Sequence, residues 1–94
     1  MSVTVRIPAP LRRITNGVDI ATVDGSTLFE TLANLEVMFP GIRERLTDET
    51  GGLRHFVNIY INGEDVRFLS GLDTQTNQGD EVSIVPAVAG GARL

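Results

Sequence analysis

Apolar and polar positions alternate from the third residue onward. Val3, Val5 and Ile7 are separated by Thr4 and Arg6, a period of two that predicts a half-buried strand stopped by Pro8. After a turn over 11–17, Val18, Ile20 and Val23 suggest a second strand closed by Asp24-Gly25, so the two runs predict an N-terminal hairpin. The period then changes. Leu28, Leu32, Leu35 and Phe39 follow helical spacing and make one apolar stripe. Thr27 and Glu30 fit a capping box in front of it, and Pro40-Gly41 stops it. A short second helix over 42–46 precedes a polar loop. Residues 56–61 alternate again, with Val57, Ile59 and Ile61 on one face and Asn58 and Tyr60 on the other. Asn62-Gly63 accepts the positive φ values of a type I′ turn, which predicts a hairpin returning over 64–68. A turn at Gln78-Gly79-Asp80 leads into a last strand carrying Val82, Ile84 and Val85.

The order is strand, strand, helix, strand, strand, strand. One long helix on one face of a mixed sheet of about five strands is an α+β architecture, and the β-grasp roll is its best-known small form. Residues 1–87 read as that domain. Residues 88–94 read as a flexible C-terminal tail, since composition after Pro86 turns small and permissive and carries Gly90-Gly91.

Composition narrows the function. The chain has 94 residues, enough for one core, and a net charge of −4. All eight basic residues are arginine. An acidic, aromatic-poor chain lacks the clustered basic surface that phosphate neutralisation needs, which argues against nucleic acid and for a basic protein partner. No apolar run approaches membrane-spanning length, so the expected address is cytoplasmic, and the absence of cysteine suits a reducing compartment. Without cysteine there is also no thiolate nucleophile. The one histidine, His55, lies at the mouth of a predicted strand with no acid–nucleophile pattern beside it, and one His with no Cys cannot build a zinc site. Acid pairs such as Asp48-Glu49, Glu64-Asp65 and Asp80-Glu81 fall in predicted turns. Neither Gly51-Gly52 nor Gly90-Gly91 is followed by the Lys-Ser/Thr of a phosphate-binding loop. The expectation is a chain with no catalytic residue, no metal and no cofactor of its own.

What remains is the diglycine. Two residues without a Cβ make a narrow segment that can thread into a partner. The run from Gln78-Gly79-Asp80-Glu81-Val82 through Val85-Pro86 to Gly90-Gly91 resembles the closing signature of ubiquitin-like sulfur carriers of the ThiS/MoaD family. The segment from Leu53-Arg54-His55-Phe56 through Asn62-Gly63 to Arg67-Phe68 is most similar to the branch that feeds sulfur into cysteine biosynthesis. The opening Val3-Thr4-Val5-Arg6-Ile7-Pro8 fits as well, so the resemblance spans nearly the whole chain.

The resemblance implies a role for the terminal glycine of such carriers, which maps onto Gly91. An ATP-using, E1-like adenylyltransferase and sulfurtransferase would activate its carboxylate and convert it to a thiocarboxylate. That group would donate sulfur to an electrophile held by a cysteine synthase-like enzyme dependent on pyridoxal phosphate. Val88, Ala89 and Gly90 would thread into these partners, and Phe68 or Leu69 would add an apolar docking patch on the sheet face. Ordinary packing is the competing assignment for those last two. Mature carriers end at the second glycine, whereas here Ala92-Arg93-Leu94 follow. The family then implies a JAMM-type zinc peptidase cutting between Gly91 and Ala92, although a cloning scar would also explain the three residues. Molybdopterin, thiamine, homocysteine or tRNA thiolation are alternative destinations for the sulfur. A ubiquitin-like protein modifier is an alternative of another class.

Overall fold

The computed structural model describes residues 2–86. Five strands form one sheet: β1 (Ser2–Arg6), β2 (Ile20–Asp24), β3 (Val57–Ile61), β4 (Glu64–Asp65) and β5 (Glu81–Pro86). Their spatial order is β2-β1-β5-β3-β4, with β1 and β5 parallel and the other pairs antiparallel. Two helices, α1 (Leu28–Met38) and α2 (Ile42–Leu46), complete the main elements. This is the α+β, β-grasp arrangement that the pattern predicts, and it sends β5 along the middle of the sheet toward the C-terminal tail.

Period-two alternation gives the sheet two unlike faces. Val3, Val5, Ala21, Val23, Val57, Ile59, Ile61, Val82 and Ile84 point inward and are buried. Leu28, Leu32 and Leu35 of α1, with Ile42 and Leu46 of α2, close over them. Phe39 sits at the C-cap of α1 and packs partly against this core. Gly41 then turns the chain at φ 102°, left-handed backbone that favours glycine.

Three local expectations need correction. Val18 and Ile20 do not supply the buried face of β2; Ala21 and Val23 do, opposite Val5 and Val3. Val18 lies before the strand, where its carbonyl accepts the buried Thr15 hydroxyl at 2.7 Å, and Ile20 faces out at 47% exposure. The capping box closes one residue early. The Glu30 N–H donates to Thr27 Oγ1 at 3.1 Å as expected, but the Glu30 carboxylate accepts from the N–H of Ser26 at 2.8 Å. The strand expected over 64–68 is only two residues long. The type I′ turn forms, with φ 51° at Asn62 and 88° at Gly63. The Asp65 carboxylate then accepts the Arg67 N–H at 2.9 Å, so Val66–Phe68 curls into a 3₁₀ turn that buries Val66.

The domain boundary expected at 87/88 lies outside the described residues. So do Val88, Ala89, Gly90, Gly91 and Ala92.

Candidate functional site

The last described residue, Pro86, pairs with Val57 at the first position of β3. The chain therefore leaves the sheet beside Phe56 and His55. Phe56 has the same strand parity as Asn58 and Tyr60, and it is 47% exposed, with the His55 ring edge-on to it at 5.6 Å. Val85, opposite Asn58 on the outward face, is also exposed. Two apolar side chains thus border the exit on the side away from the helices.

A polar clamp fixes the neighbouring turn. The Arg67 guanidinium donates from Nη1 to Asn58 Oδ1 at 2.6 Å and from Nη2 to the Arg54 carbonyl at 2.8 Å. β4 pairs only with Tyr60 and Ile61, so this guanidinium lies along the flank of β3 that β4 leaves uncovered. The planar fork of arginine suits two acceptors at once. Its effect is to hold the 3₁₀ turn at the same end of β3 as the exit. Phe68, next in the chain, is 87% exposed, and Leu69 is exposed too. Phe68 is therefore not a packed core residue, while Leu69 is more than half covered, and the two stand on and directly after a 3₁₀ turn at the sheet edge rather than on the sheet face.

Sequence reasoning named Phe68 and Leu69 but missed Phe56, Val85 and the Arg67–Asn58 clamp. The parity signal for Phe56 was available, since positions 56, 58 and 60 share a face. The clamp had none, because it depends on β4 ending after two residues.

Among the described residues no group of three or more His, Cys, Asp or Glu side chains could hold a metal ion. A cleft of about 650 Å³ lies between α2 and the 47–54 loop, lined by Glu36, Arg43, Glu44, Asp48 and Arg54 among others. Two of its carboxylates are committed to the backbone. Glu36 accepts the N–H groups of Gly41 at 2.9 Å and Arg43 at 2.8 Å, which holds its pKa below the ordinary value. Asp48 accepts the Thr50 hydroxyl and N–H, with the same consequence. These bonds order the entry to α2 and the following loop. They leave the exit of β5 as the site from which chemistry could be presented.

Comparison with known proteins shows the family. The pattern of the ThiS family matches residues 5–91. The sulfur carrier protein CysO of Mycobacterium tuberculosis is 50% identical over 93 residues, 97% of this chain and all of that protein. The crystal structure of M. tuberculosis CysO superposes with a TM-score of 0.88 at 49% identity, covering 92% of this chain and 99% of that one. The structure of the Amycolatopsis orientalis BexX/CysO complex contains a chain that matches with a TM-score of 0.90 at 44% identity, over 95% of this chain and 99% of that one.

Proposed function

This chain belongs to the ThiS family, and on that premise we propose that it is a sulfur carrier whose working atom is the acyl carbon of Gly91. The observation that carries the reading is the 50% identity to a sulfur carrier over nearly the full length, diglycine region included. The fold is suited to the task, because β5 is held on both sides by hydrogen-bonded neighbours and brings Pro86 out at one defined end of the sheet, beside Val57.

The carrier is a protein substrate acted on by partners and contributes no catalytic side chain. A zinc-dependent JAMM-type peptidase first hydrolyses the Gly91–Ala92 bond, because an amide carbonyl is not a carboxylate nucleophile. The freed carboxylate attacks the α-phosphorus of ATP on an E1-like enzyme. Pyrophosphate leaves and an acyl adenylate forms. Hydrosulfide then adds at the acyl carbon and AMP leaves, giving the thiocarboxylate. Its soft sulfur attacks an unsaturated electrophile held by a cysteine synthase-like enzyme, which binds the pyridoxal phosphate itself. The oxyanion and phosphate charges of these steps are stabilised by the partners. Val88, Ala89 and Gly90 thread into the partner channel, while Phe68 and Leu69, together with Phe56 and Val85, dock its apolar rim.

The discriminating experiment compares the full chain with a chain ending at Gly91, each incubated with the activating enzyme, ATP and labelled pyrophosphate. Exchange of label into ATP is expected only for the chain ending at Gly91. Equal exchange by both chains, or none by either, overturns the reading. Gly91-linked remnants on the lysines of other cellular proteins, with no thiocarboxylate by intact mass, would establish a protein modifier instead.

A further inference from the structure

We infer that the outer edge of β2 is a strand-addition site for an extended segment of another protein, apolar at alternate positions and basic at its ends. The site is separate from the exit of β5, and the inference does not rest on the sulfur-carrier reading.

The backbone directions come from the pairing. Ile7 donates its N–H to the Asp19 carbonyl at 2.8 Å, and the β1–β2 register continues from that pair. In an antiparallel ladder the opposed residues alternate between bonded and non-bonded pairs. Val5–Ala21 and Val3–Val23 are therefore bonded pairs, and Ile20, Thr22 and Asp24 turn their N–H and C=O groups away from β1. The Thr4 N–H bears this out, since it points to the opposite side of β1 and donates to the Asp80 carbonyl.

Of the outward groups, the Asp24 carbonyl is already taken, by Asn34 Nδ2 of α1 at 2.7 Å. Among the described residues nothing bonds the N–H and C=O of Ile20 and Thr22 or the N–H of Asp24. A free row of this kind is the surface to which an extended peptide adds by main-chain bonds. Several common defences of an edge are missing here: β2 contains neither lysine nor proline and has no bulge in its register, and its one charged residue, Asp24, stands at its end.

Side chains indicate the occupant. Ile20 is half exposed on the outward face. On the helical side, Asn34 marks the flank of α1 that meets the edge, and Met38, one turn further on, is 47% exposed. Apolar side chains of an added strand would have partners above and below. Asp19 and Asp24 are exposed at the two ends of the edge, and neither takes part in an ion pair among the described residues. With a net charge of −4, a second copy of this chain would bring like charge to like, whereas a segment with basic ends is attracted.

Strand order gives the site its use. An added strand beyond β2 would lie three strand spacings, about 14 Å, from β5, on the side opposite β3. The chain could stay tethered to one protein while its C-terminal tail is worked on by another.

The test uses the full chain labelled with ¹⁵N and a blocked synthetic peptide, acetyl-Lys-Lys-Val-Thr-Ile-Thr-Val-Lys-Lys-amide. Binding is expected to shift and protect the amides of Ile20, Thr22 and Asp24. Thr22→Pro removes an outward N–H that the β1 ladder does not use, and should weaken binding at least about tenfold. Should that variant fold poorly, Asp19→Arg with Asp24→Arg leaves the backbone intact and should weaken binding by a similar factor. Unchanged affinity in whichever of these variants folds, shifts that map instead to Phe56 and Val85, or no binding at millimolar peptide would overturn the inference. A concentration-dependent dimer protected along β2 would overturn it too, by making a second copy the occupant.

Discussion

Thr76 donates its hydroxyl to the carbonyl of Gly25 at 2.8 Å, joining two buried positions 51 residues apart in sequence. The Thr76 N–H also donates to the Ser26 carbonyl at 3.0 Å, and the Leu28 N–H donates to the Thr74 carbonyl at 2.9 Å. The turn between β2 and α1 is thus stitched to the segment that leads into β5. Replacing Thr76 by valine keeps the volume and leaves the Gly25 carbonyl without its partner. The expected loss is about 1–3 kcal/mol in urea unfolding, with an unchanged denaturant slope.

Gly25 is constrained from its other side. A Cβ there would stand 2.1 Å from Thr31 Oγ1 and 2.8 Å from the Thr31 Cα. Thr31 cannot yield easily, because it is fully buried and its hydroxyl donates to the Thr27 carbonyl at 2.9 Å. Gly25→Ala should therefore destabilise by roughly 1–3 kcal/mol through displacement of α1. The companion Gly25→Ala, Thr31→Ser removes a methyl but keeps the clashing oxygen, and is expected to restore little of the loss.

Stability should fall as acid is added, in a definite window. The Glu30 pKa is held below its ordinary 4.5, chiefly by the Ser26 N–H and then by the Ser26 hydroxyl. Glu36 is lowered from the same value by the N–H groups of Gly41 and Arg43. A folded pKa below the unfolded one means that the unfolded state binds the proton first. The stabilisation is then complete above the ordinary value and is lost as pH falls through the lowered one. Chemical denaturation should show a constant midpoint above about pH 5.5 and a decline beginning near pH 4.5. The decline should be shallower in Glu36→Gln, whose baseline is itself lower. A parent and variant with identical slopes would show that Glu36 does not contribute.

Much of this was legible in the sequence because its signals are local. Period-two runs placed β1, β3 and β5, the helical stripe placed α1, and Asn62-Gly63 announced its turn. The misassigned face of β2 arose from counting Ile20 as core. Counting back by two from Val23 reaches Ala21 and then Asp19, and a small alanine is a weak marker of an inward position. The truncated β4 depended on Asp65 capping its own backbone, a local competitor that alternation does not register. Exposure of Phe56 and Phe68 could not come from hydrophobicity, which predicts burial for both. For Phe56 it follows from parity with Asn58 and Tyr60, and for Phe68 from two tertiary facts, the end of β4 after two residues and the reach of Arg67 across to Asn58.

The apolar rim at the exit yields the most direct functional prediction. Phe68 is 87% exposed, so Phe68→Ser removes little packing, and exposed substitutions of this kind usually change stability by less than about 0.5 kcal/mol. If Phe68 docks an activating partner, its loss should raise KM for the chain ending at Gly91 by about tenfold, the order expected of an apolar anchor, while kcat stays near its original value. Arg67→Met supplies the complementary arm. Removing the clamp on Asn58 and the Arg54 carbonyl frees the 3₁₀ turn without deleting Phe68, so KM should rise by a smaller factor. A KM unchanged in Phe68→Ser would place the docking surface elsewhere. A KM raised equally in both variants would mean that Phe68 works only through the position Arg67 gives it.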